Sequence, residues 1–217
     1  MAVSKPGFPP TVDIKLPGWR LFWAEVEFEK AANGLEPLRT ELPGRIRKIT
    51  LGRPLSEHPT VQSVRSLFRN AGCDPIRYRP SSEALVRRVA KGDPLPAILP
   101  AVDLNNIWSV ELLVPCCVIN PVKVSGTFTL RRGQAGEMMD SMRGTFNLDG
   151  KPLLADDKGP FGTPITDSER VKVTKAAGTF WLVAYLPQNV VTSETAASRL
   201  QEITDQVPQA RVIATSE

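Results

Sequence analysis

Histidine is almost absent from this chain, with His58 alone among 217 residues. A Ser-His-Asp triad would have to use it, yet it directly precedes Pro59, where the simplest reading is a residue at a helix start. Cysteine is scarce as well. Cys73, Cys116 and Cys117 form an odd set without CxxC spacing, which suits neither a paired secretory framework nor a zinc site. No metal and no other cofactor is therefore expected, and a reducing, cytoplasmic compartment is. Long apolar runs are missing too: none approaches the ~20 residues of a membrane-spanning helix, and the opening MAVSKPGFPP lacks the apolar core of a signal peptide. No membrane partner is expected. Neither sign of charge dominates, with 27 Lys and Arg against 23 Asp and Glu, net +4 and pI near 9.1. A polyanionic partner is permitted but not required.

What the chain does contain is a 41% hydrophobic fraction, enough for one core plus tails. Pro6, Pro9, Pro10 and Pro17 make residues 1–20 a loose arm, ordered at most around 12–16. From Leu21 the pattern alternates, with Phe22, Ala24, Val26 and Phe28 on one face and Glu25, Glu27 and Glu29 on the other, as in a half-exposed strand. A second strand candidate covers 45–51. Helices are expected over 59–71, 82–91 and 103–113, from Pro59 at a first turn, from Ser81 or Ser82 as a cap with Glu83 behind it, and from Leu104, Ile107, Trp108 and Leu112 on one side. Strand alternation recurs around Phe128 and Leu130 and again at Val171 and Val173. The run FWLVAYL (180–186) is apolar on both parities, as a central strand is. Residues 144–166 read as a long Gly/Pro/Asp loop holding a short strand near 152–155, 193–203 as a helix, and the last dozen residues as frayed.

Positive charge is local. Between positions 65 and 91 stand Arg65, Arg69, Arg77, Arg79, Arg87, Arg88 and Lys91 against Asp74 and Glu83, a local net of +5 in a chain whose total is +4. Guanidinium forks match phosphate oxygens, so Arg77, Arg79, Arg87, Arg88 and Lys91 are candidate contacts to RNA, the bland alternative being solvated ion pairs. Polar groups also gather at turns between apolar segments: Ser81, Ser82 and Glu83; Asp103, Asn105 and Asn106; Cys116 and Cys117; Arg131 and Arg132; Asp156 and Asp157; Asp167, Ser168 and Arg170. Spacing alone does not assemble them into one pocket. Each has a structural reading of equal standing, as helix cap, turn former or small buried apolar group.

The strings RYRPSSEALVRRV (77–89), LPAILPAVDLNN (95–106), TLRRGQAGE (129–137) and DSERVKVT (167–174), in that order, resemble the stand-alone B3/B4 domain proteins. These are similar to the editing module in the beta subunit of bacterial phenylalanyl-tRNA synthetase. The resemblance runs from about position 61 to 186. It implies an α+β fold, a mixed sheet with flanking helices, with an editing domain over 21–187 between the arm of 1–20 and a C-terminal helix and tail over 188–217. It also implies a hydrolase acting on the ester between a wrong amino acid and its tRNA. The synthetase module lines its pocket with a histidine and a glutamate. Here Cys117 and Val183 fall at those positions, which removes any copied acid–base assignment and the aromatic substrate that goes with it. The polar signature left to the stand-alone members is Ser81, Ser82, Asp103, Arg131, Asp156, Asp167, Ser168 and Arg170.

An aminoacyl ester is already activated, so orienting water and holding the oxyanion suffice for hydrolysis. Asp103 and Asp156 are the carboxylates expected to orient that water. Ser81, Ser82, Glu83, Asn106, Cys117, Arg131, Asp167, Ser168 and Arg170 are expected to line the substrate site. The excess of carboxylates suits a cationic amino acid, and some relatives look like deacylases for canavanyl-tRNA(Arg). The competing class is a tRNA-binding module without hydrolysis.

Overall fold

FWLVAYL has no polar face to offer solvent, and the chain places it in the middle of a sheet. The computed structural model describes residues 6–29, 35–50 and 53–216. In chain order these form β1 (Val12–Ile14), β2 (Trp19–Phe28), α1 (Leu35–Ile49), α2 (Pro59–Asn70), α3 (Ser81–Ala90), α4 (Pro100–Leu112), β3 (Cys116–Ile119), β4 (Phe128–Arg132), β5 (Met138–Ser141), β6 (Gly144–Asn147), β7 (Pro152–Asp156), β8 (Gly159–Gly162), β9 (Gly178–Pro187), α5 (Ser193–Thr204) and β10 (Ala210–Thr215). The result is α+β. One sheet has the order β10-β2-β9-β3, a second β1-β4-β7-β8, and β5 and β6 form a separate hairpin.

Because side chains alternate across a strand, the first sheet meets different partners on its two faces. Phe22 projects toward the helices and packs edge-on against Trp108 of α4, ring centroids 5.9 Å apart. Trp23 and Trp181 project the other way and meet Phe128 of β4, which closes the core between the sheets. Glu25 lies on this inner face, and its carboxylate accepts the Trp181 indole N–H at 2.7 Å. β2 is thus buried on both faces up to its last turns, not half-exposed, because the glutamate is matched to an indole donor.

Other expectations change for identifiable reasons. The strand expected over 45–51 is the end of α1. Leu35, Leu38, Leu42 and Ile46 are buried at helical spacing, a stripe that Pro37, Pro43 and Gly44 obscure; Leu51 lies outside the described residues. The expected loop 144–166 contains β6, β7 and β8, its glycines sitting at positive φ in the turns, Gly150 at 70° and Gly159 at 110°. Val171 and Val173 are both buried around an exposed Lys172, so the alternation is real. The ladder is not: the Ser168 hydroxyl accepts the Arg170 N–H and starts a single 3-10 turn, Glu169–Val171. The tail expected to fray is β10, pairing antiparallel with β2 through Ala210↔Phe28 and Val212↔Val26, which satisfies an otherwise open strand edge. Within the arm, 12–14 pairs in parallel with β4; residues 1–5 lie outside the described set.

Neither Ser81 nor Ser82 caps α3. Pro80 is the residue before its first turn and no side chain caps it, while the buried Ser82 hydroxyl donates to the Leu113 carbonyl at 3.3 Å. Elsewhere caps follow the rules. His58 caps α2, its Nδ1 accepting the Thr60 N–H, and Thr192 caps α5, its hydroxyl accepting the Thr195 N–H at 3.1 Å. Thr192→Ala is expected to cost about 1 kcal/mol in urea unfolding with an unchanged m-value. A loss below about 0.2 kcal/mol would show that this cap is idle.

Candidate functional site

Both carboxylates assigned to catalysis are engaged in structure. The Asp156 side chain is fully buried. One oxygen accepts the Ser125 N–H (2.9 Å) and Arg170 Nη1 (3.0 Å), the other the Lys158 N–H (2.9 Å) and Arg170 Nη2 (2.8 Å). Four donors leave no lone pair for an attacking water. Arg170 in turn donates to the carbonyls of Lys123 and Gly159, so the pair ties three chain segments together. Asp157 accepts the Thr127 N–H at 3.0 Å. Asp103 reaches back over the first turn of α4 to the Ile98 N–H (2.9 Å) and takes Arg39 of α1 at 2.7 Å. Burial raises its pKa in spite of these donors. α4 begins at Pro100, a turn ahead of the expected start, because proline suits a first turn and Asp103 satisfies the chain entering it.

The arginine-rich stretch divides in two. Glu83 is buried, and its carboxylate receives Arg65 through two bonds of 2.8 and 2.6 Å and Arg87 at 2.9 Å, with Arg79 at 3.7 Å. Burial alone would raise the Glu83 pKa, but Arg65 and Arg87 hold it below the usual range. Three guanidinium groups are thus committed to one carboxylate. Arg88 donates to the Pro94 carbonyl at 2.8 Å, and Lys91 is exposed at the end of α3. Arg131 forms a two-bonded pair with Glu137, 2.8 and 2.6 Å, on the β4–β5 side. Asn106 is half-buried on α4; its neighbour Asn105 points inward instead, donating to the Cys116 carbonyl at 3.4 Å while its Oδ1 finds no partner.

What does converge is a set of three side chains around Gly162. A Cβ there would stand 3.4 Å from Asp167 Oδ1, 3.4 Å from the Tyr185 hydroxyl and 3.8 Å from Cys117 Sγ. Three elements deliver them. β3 and β9 pair Cys117 with Val183 and set Tyr185 beside it, giving a 3.8 Å contact between thiol and phenol. An antiparallel bridge between Gly162 and Asp167 brings in the carboxylate. The segment between them is rigid, since the Thr163 hydroxyl donates to the Thr166 carbonyl and accepts the N–H groups of Ile165 and Thr166.

No cation pairs with Asp167 among the described residues. Burial of its carboxyl pushes the pKa up to about 8, opposed only by the Val118 N–H. Burial also lifts the Cys117 thiol and the Tyr185 phenol well above their ordinary values, so both are neutral near pH 7. Asp167 itself remains partly exposed. The arrangement offers a proton-accepting carboxylate at a solvent edge, with two neutral groups near it around Gly162. The start of α3 adjoins it, because the Ser81 N–H donates to the Pro164 carbonyl at 2.9 Å, three residues before Asp167.

Of the residues expected to line the site, Cys117 and Asp167 both approach Gly162, and Ser81 and Ser168 flank them. Glu83, Arg131 and Arg170 belong to separate ion pairs. Tyr185 escaped the sequence reading. Its signal was present, since a phenol inside an otherwise apolar strand requires a polar partner.

Among the described residues, no group of three or more His, Cys, Asp and Glu is placed to hold a metal ion, and no helix is long and apolar enough to cross a membrane. No curated protein matches the chain significantly. The B3/4 domain family model matches residues 64–206, from α2 through α5, and so takes in β3, β8, β9 and the whole Asp167 cluster; the chain belongs to the B3/4 domain family.

Proposed function

We propose that this chain is an aminoacyl-tRNA deacylase acting in trans, and that its base is Asp167 rather than Asp103 or Asp156. The observation that carries the reading is the convergence of Asp167, Tyr185 and Cys117 on a glycine, beside the arginine-rich stretch of a B3/4 domain. The ionised Asp167 carboxylate takes a proton from water as the water oxygen bonds to the ester carbonyl carbon. The tetrahedral intermediate then expels the ribose oxygen, which receives a proton, leaving a free amino acid and a tRNA ending in hydroxyls. The uncapped start of α3 supplies N–H donors for the oxyanion, a role suited to a positive helix end.

Substrate choice follows from charge. Glu83 and Asp156 are neutralised by arginines, whereas Asp167 has no cationic partner among the described residues. A guanidinium-like amino-acid side chain at the rim would lower the Asp167 pKa into its active range as it binds. Canavanyl-tRNA(Arg) is therefore the specific substrate proposed, with arginyl-tRNA(Arg) distinguished through hydrogen bonds to the oxygen that replaces a methylene.

A panel of charged tRNAs, followed by loss of the acyl ester, tests this directly. Canavanyl-tRNA(Arg) should be consumed and arginyl-tRNA(Arg) spared. If every ester decays at its rate in buffer alone, the chain is a binding module and the reading fails. Gly162→Ala sharpens the assay. The added methyl makes only ordinary contacts at 3.4 Å and more, so the variant should melt within about 2 °C of wild type. It fills the space between the three polar groups, however, and hydrolysis should fall by about tenfold or more.

A further inference from the structure

Lys151 is a buried cation that makes no ion pair among the described residues. It is 3% exposed, yet its ammonium group donates only to the Asp149 carbonyl at 3.2 Å and otherwise sits 3.9 Å from the centre of the Tyr78 ring. Arg77 lies over the same ring at 5.2 Å, and Phe146 of the β5–β6 hairpin meets it edge-on at 6.3 Å. A third cation adjoins. The guanidinium of Arg132 occupies the space in front of Gly72, where a Cβ would stand 2.8 Å from its Nη2, and beside Gly150, where the distance would be 3.5 Å. Both glycines have positive φ, 89° and 70°.

Among the described residues, Arg77, Arg132 and Lys151 make no ion pair with a carboxylate, in contrast to Arg65, Arg79 and Arg87 around Glu83. Asp74 and Asp149 are the nearby acids in sequence. Asp74 is occupied with the Ile76 N–H at 2.9 Å, and Asp149 is exposed. Arg77 and Arg132 are themselves exposed, and Ile76 beside them is 73% exposed. Leaving two exposed arginines and a buried lysine together without counter-charge costs free energy that an anion would return.

We infer that this patch, with Arg77 and Arg132 as its contacts and Tyr78 and Lys151 as their supports, is the seat for the phosphate backbone of the tRNA. The inference rests on the deacylase reading for the identity of the RNA. It replaces Arg79 and Arg87, whose guanidinium groups are already taken. Position favours it: Tyr78 is three residues before Ser81, whose N–H bonds to Pro164 at the Asp167 loop. Two three-residue stretches span at most ~22 Å even when fully extended, so a strand held on the patch has its end within reach of the carboxylate. Planar guanidinium groups match phosphate oxygens through paired bonds, which a solvated lysine row would not.

The test is binding of uncharged tRNA to the full-length protein across a salt series, read by fluorescence anisotropy, beside the ester assay. The double variant R77Q/R132Q should weaken binding by on the order of thirtyfold at low salt and flatten the log–log salt slope by about two, while R79Q leaves both unchanged. Both changes are at exposed positions, and an unchanged melting temperature confirms folding. Wild-type affinity and slope in R77Q/R132Q, with the ester still hydrolysed, overturns the patch and leaves the deacylase standing. Lost affinity in the variant with no ester hydrolysed by the wild type supports the patch and overturns the enzyme. Absence of tRNA binding by the wild type overturns both.

Discussion

Asp167→Asn should lower the rate of ester hydrolysis about a thousandfold and at the same time make the protein more stable at alkaline pH. The first effect follows from removal of the proton acceptor, for which losses of roughly 10²–10⁴ are usual. The second follows from linkage. Burial raises the folded-state pKa of Asp167 to about 8, far above the ~3.9 of an unfolded aspartate. A group shifted upward contributes stability that is complete below the unfolded pKa and is lost as pH rises through the folded pKa. Asparagine does not ionise and escapes that loss. The two melting curves should coincide near pH 4 and separate by pH 9, with the variant higher by on the order of 10 °C. Wild-type kcat/KM, which reports the free enzyme, should rise with pH and level off above about 8, while kcat levels off at lower pH because the bound cationic substrate lowers the Asp167 pKa. Asn should be flat over that range, with its affinity for uncharged tRNA intact. A residue needed only for packing gives the opposite pairing, activity lost together with stability. Wild-type turnover by Asp167→Asn would remove this residue from the mechanism.

The elements that the sequence announces are those whose pattern concerns one partner only. FWLVAYL is apolar on both parities and can be nothing but an interior strand; Val61, Val64, Leu67 and Phe68 recur at one helical period behind Pro59. α1 was hidden because Pro37, Pro43 and Gly44, each a breaker by local rule, stand between its buried positions, and tertiary burial of Leu42 and Ile46 overrides them. β10 was hidden because its pairing partner, β2, lies some two hundred positions away and only the fold makes that edge available. The site follows the same division. Asp167 and Cys117 were both legible as polar residues at turns, but which carboxylates were free to act was not. Asp103, Asp156 and Asp167 look alike as letters, and what separates them is whether an arginine from a distant element arrives. Arg39 reaches Asp103 from 64 positions away and Arg170 reaches Asp156 from 14, whereas no cation among the described residues pairs with Asp167.

Asp156→Asn should behave as the mirror image of Asp167→Asn, with large loss of stability and none of chemistry. Its carboxylate is fully buried and Arg170 is 26% exposed, so the amide leaves a guanidinium without its counter-charge in a partly desolvated place. Removing one member of such a pair costs about 3 kcal/mol, or roughly 10 °C for a domain of this size. The remaining amide oxygen still accepts from Ser125 or Lys158 but not from both and Arg170 together. Below the new melting point, turnover per folded molecule should match wild type, because no lone pair of Asp156 was available to a substrate. The double variant D156N/R170M isolates the cause. Taking the stranded guanidinium away should recover a substantial part of the loss, so that the pair of changes costs less than the two singles together, with a coupling of about 1–3 kcal/mol. Simple additivity would mean that the loss comes from the weakened Ser125 and Lys158 bonds rather than from the broken ion pair. A drop in turnover at full folding would return Asp156 to the catalytic step.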